Sequence, residues 1–163
     1  MDLITQPQAL AWLAERDLVE DPCRQAPPGF AYLRLVLPEG GIRADQLAEV
    51  LIQRLEPASQ ILQITDWSGR GEEEGPALLR EIGKTVSTFD RVWIRISEGD
   101  RRDLQECLSC ILANGMSAYL YSCAPGFIAY FWEGHFLEIW SRTPALLDSM
   151  ASSLECLGVV AAP

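Results

Sequence analysis

The sequence has little of what catalytic sites are commonly built from. It contains one histidine, His135, and neither an HExxH nor a GxSxG motif, which removes the usual metalloprotease and serine hydrolase templates. It also lacks a Walker-type Gly-Lys-Ser/Thr motif. The loop that contains Gly69 and Gly71 has Glu74 where a dinucleotide-binding loop needs its third glycine. We therefore predict a protein that is not an enzyme and that has no catalytic residues, metal or cofactor.

Positive charge and long apolar runs are also scarce. The chain has 13 basic and 23 acidic side chains, a formal net charge of −10, so its surface should repel nucleic-acid phosphates and attract a basic protein. No apolar run approaches the roughly 18 residues of a transmembrane helix, and the acidic, proline-containing N-terminal segment does not resemble a signal peptide. We expect a cytoplasmic protein that binds neither nucleic acid nor membranes.

Five cysteines are an odd number, and they lack the spacing of a disulfide framework. They predict reduced thiols, as in a cytoplasmic protein. Cys107 and Cys110 form a CxxC pair, but they fall in the middle of a predicted helix and not at its start, where the helix dipole would lower a thiol pKa. Without further paired ligands for zinc, this pair predicts core packing.

The stretch from Ser117 to Ser141 organises the predicted fold. Three runs rich in aromatic and β-branched residues are separated by short breaks at 124–126 and 133–135, which is the pattern of an antiparallel meander. Before it, predicted strands alternate with predicted helices, and one further helix flanks each end of the chain. This order predicts an α/β fold with a mixed sheet, in which βαβ crossovers of parallel strands precede the meander.

The elements are predicted at the following positions: strands at 30–37, 61–67 and 91–97, and helices at 5–20, 43–56, from Pro76 onwards, 101–114 and from Pro144 onwards. The size of the chain predicts one domain over 1–163. Within it we expect an N-terminal helix and proline-rich connector at 1–29, a core at 30–158, and a frayed tail at 159–163.

Each of the first three strands places polar residues between apolar ones, which predicts helices mainly on one face of the sheet. Leu35, Ile64 and Ile94 should face the helices. Five residues should share the opposite face, namely Tyr32, Arg34, Gln63, Trp93 and Arg95. Two interpretations stay open: a solvated sheet face, or a binding face, because aromatic residues and arginine are enriched at interfaces.

A second candidate site is the acidic loop after the second predicted strand. Asp66 and Trp67 end the strand, and Glu72, Glu73 and Glu74 follow in a glycine-rich loop. Acidic side chains accelerate encounter with a basic partner, and tryptophan is a frequent hot-spot residue. These five residues are therefore predicted to bind a protein partner.

A compact, acidic, tryptophan-rich α/β domain of this kind resembles the immunity proteins of bacterial polymorphic-toxin and contact-dependent inhibition systems. The local features that carry the resemblance are Asp66-Trp67-Ser68 and the run Glu72-Glu73-Glu74. The resemblance implies an inhibitor that binds a cognate, basic toxin domain and occludes its active site. Two alternatives remain: a small enzyme or anionic-ligand-binding protein in which Arg34 and Arg95 hold the ligand, and a homodimeric adaptor module.

Overall fold

The computed structural model describes residues 1–38, 43–55, 58–67, 76–85, 90–124 and 126–162. Its described part contains five α-helices and eight strands. The strands are β1 (Asp2–Ile4), β2 (Ala31–Val36), β3 (Gln60–Asp66), β4 (Val92–Ile96), β5 (Ser117–Ser122), β6 (Phe127–Trp132), β7 (Phe136–Ser141) and β8 (Val160–Ala161). The helices are α1 (Gln6–Ala14), α2 (Ala44–Arg54), α3 (Ala77–Gly83), α4 (Arg101–Ala113) and α5 (Pro144–Glu155), with a 3₁₀ turn at Glu98–Asp100 before α4.

The strands form one sheet in the order β1-β4-β3-β5-β6-β7-β2-β8. The α/β class, the single domain and the β5-β6-β7 meander are confirmed. The parallel neighbours that we expected from βαβ crossovers are not formed, because every described pair of neighbouring strands is antiparallel. The helices α2 and α4 do link strands of the same direction, but the linked strands are separated by other strands.

Two short strands at the ends of the chain extend the sheet. In β1, Asp2 pairs with Arg95 of β4, so the N-terminal segment belongs to the sheet and not only to a connector. In β8, Val160 pairs with Val36 of β2, where we had expected a frayed tail. Strands of two or three residues carry too few side chains to show a periodicity in the sequence.

Helices α2 to α5 cover one face of the sheet and form the main hydrophobic core. The residues predicted to face them, Leu35, Ile64 and Ile94, are at most 1% exposed in this core. The predicted helix positions of α4, including Cys107, are buried in the same cluster. The prediction that most helices pack on one face is confirmed.

The opposite face carries a second, smaller core beneath α1. Helix α1 begins after Thr5, which forms a capping box with Gln8, and it buries Ala9, Trp12 and Leu13. These side chains pack with a cluster of sheet residues, chiefly aromatic: Ile61, Trp93, Tyr119, Tyr121, Ile128 and Trp140. Since α1 is short, it covers only part of this face.

Candidate functional site on the open sheet face

We call the sheet face opposite α2 to α5 the open face. Directly opposed residues of antiparallel strands have their side chains on the same face, so the strand registers define its rows. One row crosses the sheet from β1 to β2 as Ile4, Trp93, Gln63, Tyr119, Tyr130, Glu138 and Arg34. The neighbouring row contains Asp2, Arg95, Ile61, Tyr121, Ile128, Trp140 and Tyr32.

The five residues predicted for the sheet-face site therefore share one face, but they do not form one surface. Gln63 and Trp93 are only 1% and 2% exposed, whereas Tyr32 is 52% exposed. The segment from α1 to the start of β2 covers the middle of the face, so only part of this face is exposed to solvent.

Arg34 and Arg95 lie at opposite ends of the open face. They are on β2 and β4, with four strands between them. Five strand spacings correspond to about 24 Å of sheet. The two guanidinium groups therefore cannot hold one small anionic ligand, as the enzyme alternative required.

The uncovered end of the open face is an aromatic patch, which we define as Tyr32, Trp132, Phe136 and Arg34. Tyr32 and Trp132 are 52% and 41% exposed, and Phe136 is half-buried. The Trp132 and Phe136 rings contact each other with centroids 5.6 Å apart, and the Arg34 guanidinium lies 4.3 Å from the Phe136 ring centroid. Ring and guanidinium contacts of this type hold large side chains in defined positions.

Glu138 connects this patch to the rest of the open face. Its carboxylate accepts hydrogen bonds from the Tyr32 hydroxyl at 2.9 Å and the Cys23 thiol at 3.2 Å, and it pairs with Arg34 Nε at 3.5 Å. Burial, together with the bond to Glu138, raises the pKa of Tyr32 to about 12. Burial is also the main cause that raises the pKa of Cys23 to about 11. The Cys23 thiol is therefore protonated at neutral pH and lacks the thiolate of a nucleophile.

Next to Glu138, stacked aromatic rings line the middle of the open face. Tyr119 stacks on Tyr130 at 4.2 Å and on Tyr121 at 5.8 Å, and Tyr121 stacks on Trp93 at 6.3 Å between ring centroids. A cleft of ≈ 160 Å³ opens beside Tyr119 and Tyr130. We call it the tyrosine cleft; its lining consists of Glu20, Asp21, Gln63, Thr65, Arg91, Tyr119 and Tyr130.

The predicted partner-binding loop is described only at its base. Trp67 is 2% exposed, belongs to the main core, and donates its indole N–H to the Asp90 carbonyl at 3.2 Å. It is thus a core residue, contrary to the surface anchor that we expected, and its replacement would first lower stability. Asp66 ends β3 opposite Ser117 and is half-buried. Glu72, Glu73 and Glu74 lie outside the described residues.

The residues that shape this face were not predicted from the sequence, because the many aromatic residues of the meander indicate a strand group that is buried on both faces. One signal was present. In β7, the acidic Glu138 interrupts the apolar run from Phe136 to Trp140, and alternation then places Tyr130 and Trp132 of β6 on the same face as Glu138. His135, in the turn between β6 and β7, is exposed.

All five cysteines are free thiols. Among the described residues, no group of histidine, cysteine, aspartate or glutamate side chains is arranged to hold a metal ion. The helices of that same part of the chain are each too short or too polar to cross a lipid bilayer. Comparison with protein-family models, with curated proteins and with solved structures gave no match.

Proposed function

We propose that this protein binds a basic protein partner through the open sheet face and acts as a stoichiometric inhibitor of the immunity type. The observation that carries the proposal is the aromatic patch: two large rings, Tyr32 and Trp132, stand exposed at one end of the open face. Exposed aromatic groups on a rigid element are typical of interaction surfaces.

The patch has the composition and the rigidity of an interface centre. Tyrosine, tryptophan and arginine are the residues most enriched among binding hot spots. Here the Arg34 guanidinium and the Trp132 ring are both in contact with Phe136. Tyr32 is held by Trp140, with ring centroids 5.3 Å apart, and by its bond to Glu138. Because these side chains are already ordered, a partner would pay little conformational entropy to bind them.

The charge of the chain supports a basic partner. With a formal net charge of −10, the protein attracts a positively charged surface and accelerates encounter with it. An inhibitor that occludes an active site needs only to bind tightly over it and needs no catalytic groups of its own. A binding surface made of aromatic rings and hydrogen-bond acceptors meets this requirement.

The test uses the product of the gene adjacent to this one in its genome. That protein should arrest growth when expressed alone, growth should recover when this chain is co-expressed, and the purified pair should bind in isothermal titration calorimetry. The Trp132→Ala and Tyr32→Ala variants should each raise the Kd by a factor that corresponds to about 2 kcal/mol, the size of a hot-spot effect.

The matched control is Leu3→Ala, because Leu3 is also exposed, at 57%, but lies on β1 at the far edge of the sheet. It should bind as the unmodified protein does. An unchanged Kd in both patch variants would show that the patch is not part of the interface.

Analytical ultracentrifugation of the chain alone tests the alternative of a homodimeric adaptor. A dimer that dissociates in the patch variants would identify a second copy of the chain as the partner.

A further inference from the structure

The outer edge of β2 is only partly covered by β8. The two strands pair only at Leu35 and Val36 of β2. One further hydrogen bond, from the Ala162 N–H to the Arg34 carbonyl at 2.9 Å, extends this contact. Among the described residues, no strand pairs with positions 31–33 on this side of β2. The sheet therefore has an open edge at the start of β2.

The main-chain groups of Tyr32 point towards this open edge. In an antiparallel sheet the N–H and C=O of one residue point to one neighbouring strand, and those of the next residue point to the other side. The Arg34 carbonyl points to β8, whereas the Leu37 N–H points to the β7 side and donates to the His135 carbonyl at 2.9 Å. Tyr32 is two residues from Arg34, so its N–H and C=O point away from β7. They have no partner in the part of the chain that the structure describes.

This edge lacks the features that commonly protect an exposed strand. Natural proteins place lysine, proline or a bulge on such an edge, or cover it with another element. The sequence of β2 contains neither lysine nor proline, and its register with β7 is regular from Ala31 to Val36. The one charged side chain of β2, that of Arg34, packs over the Phe136 ring. The start of β2 is thus free to pair with another strand.

The open edge and the aromatic patch meet at Tyr32. This residue has unpaired main-chain groups at the edge and a side chain that is 52% exposed on the open face. The side chains of a strand alternate between the two faces of the sheet, so a strand added here would place every second side chain beside Tyr32 and Arg34. Main-chain pairing combined with contacts to alternate side chains is a recurrent mode of peptide recognition.

We propose that the basic protein partner adds an extended segment to the sheet at the open edge of β2. The inference rests on the proposed function and specifies how the aromatic patch is engaged. Hydrogen bonds to the N–H and C=O of Tyr32 fix the position of the segment, and its side chains on the open face contact the patch. The net charge of −10 favours a basic partner over a second copy of the chain, because two such copies repel each other.

The first experiment measures amide hydrogen exchange by NMR in the free protein and in its complex with the product of the adjacent gene. In the free protein the Tyr32 N–H should exchange rapidly, whereas the Leu33 N–H, which points to β7, should be protected. In the complex the exchange of the Tyr32 N–H should slow by at least about tenfold. The N–H groups of β1, at the other edge of the sheet, should not change. An unprotected Tyr32 N–H in the saturated complex would refute strand addition.

The second experiment compares the Tyr32→Pro and Tyr32→Ala variants by isothermal titration calorimetry. Both substitutions remove the ring, but only proline removes the N–H, and proline is tolerated where the N–H of an edge strand faces solvent. The Kd of the proline variant should be about tenfold higher than that of the alanine variant, because a carbonyl of the partner loses its donor. Equal Kd values would contradict the proposal. Thermal unfolding shows whether both variants fold; if the proline variant does not, amide exchange decides the question.

The outcomes separate this inference from the proposed function. If Tyr32→Ala and Trp132→Ala weaken binding but the Tyr32 N–H stays unprotected in the complex, the patch binds the partner without strand addition. If no complex forms, both proposals are refuted. Protection of the Tyr32 N–H in the free protein that disappears on dilution would place a second copy of the chain at this edge and would refute a partner segment there.

Discussion

The four tyrosines all lie on the open face: Tyr119 and Tyr121 are buried, Tyr130 is half-buried, and the exposed Tyr32 donates its hydroxyl to Glu138. Burial is the main cause that raises the pKa of Tyr32, Tyr119, Tyr121 and Tyr130, and for Tyr32 the value is about 12. The unfolded chain loses these protons near the ordinary value of about 10. Above that pH the unfolded state binds fewer protons than the native state, so the free energy of unfolding falls as pH rises.

We therefore predict that the absorbance at 295 nm of the native protein shows no tyrosine ionisation near pH 10. Urea unfolding should give a constant tyrosine contribution below that pH and a progressive loss of stability between pH 10 and 12. In denaturant, all four hydroxyls should titrate together near the ordinary value. Ionisation of two or more tyrosines near pH 10 without unfolding would contradict the burial of these hydroxyls.

Single residues show what the sequence could and could not predict. Alternation correctly placed Arg34, Gln63 and Arg95 on the same face, because the side chains of a strand alternate strictly. It could not show that Gln63 is covered while Tyr32 is exposed, since the cover comes from α1, which is distant in sequence. Trp67 was taken for a surface residue because it adjoins a charged loop. Its position directly after a buried strand sets its burial instead.

For the strands and helices too, the sequence pattern predicts local structure but not long-range packing. Local periodicity located most of them within a few residues, but it does not specify which strands become neighbours. The chain returns from β4 through α4 to β5 on the far side of β3, and β2 lies beyond β7. These positions depend on how α2, α4 and α5 share one face of the sheet, which is a property of tertiary packing.

The contact between α2 and α4 offers a test of how two helices are held together. Arg101, at the start of α4, donates hydrogen bonds to the main-chain oxygens of Ile52 and Leu55 at the end of α2. The Ile52 carbonyl also accepts the Leu55 N–H at 3.1 Å, and both carbonyls lie at the C-terminal end of α2, where a positive charge is favourable to the helix dipole. Arg101→Ala should therefore lower the free energy of unfolding by about 1–2 kcal/mol in urea titrations followed by tryptophan fluorescence.

Arg102→Ala is the matched control. Its side chain is 90% exposed and pairs with Glu106 within α4, so its loss should change stability by at most about 0.5 kcal/mol. Equal destabilisation by the two substitutions would show that Arg101 contributes only as a surface charge and not by capping α2.

At the scale of the whole molecule, the proposed function predicts that the net charge sets the association rate of the partner and that the open face sets its dissociation rate. We predict that Glu72, Glu73 and Glu74 increase the association rate through their charge alone. Replacing all three with lysine changes the formal net charge from −10 to −4, because each substitution adds two charges. Association with a basic partner should then become about tenfold slower at low ionic strength and depend less on salt, with little change in the dissociation rate.

The control for this experiment is a variant with the same change in charge on the helical side of the molecule. Glu49, Asp148 and Glu155 are exposed residues of α2 and α5, and lysine at all three positions gives the same net charge. Stopped-flow association rates between 20 and 500 mM salt should separate the two variants, with the loop variant slower. If both slow equally, only the net charge matters and the loop has no special position relative to the partner. If neither slows, the partner is not recognised through its positive charge, and only the aromatic patch remains as the basis of binding.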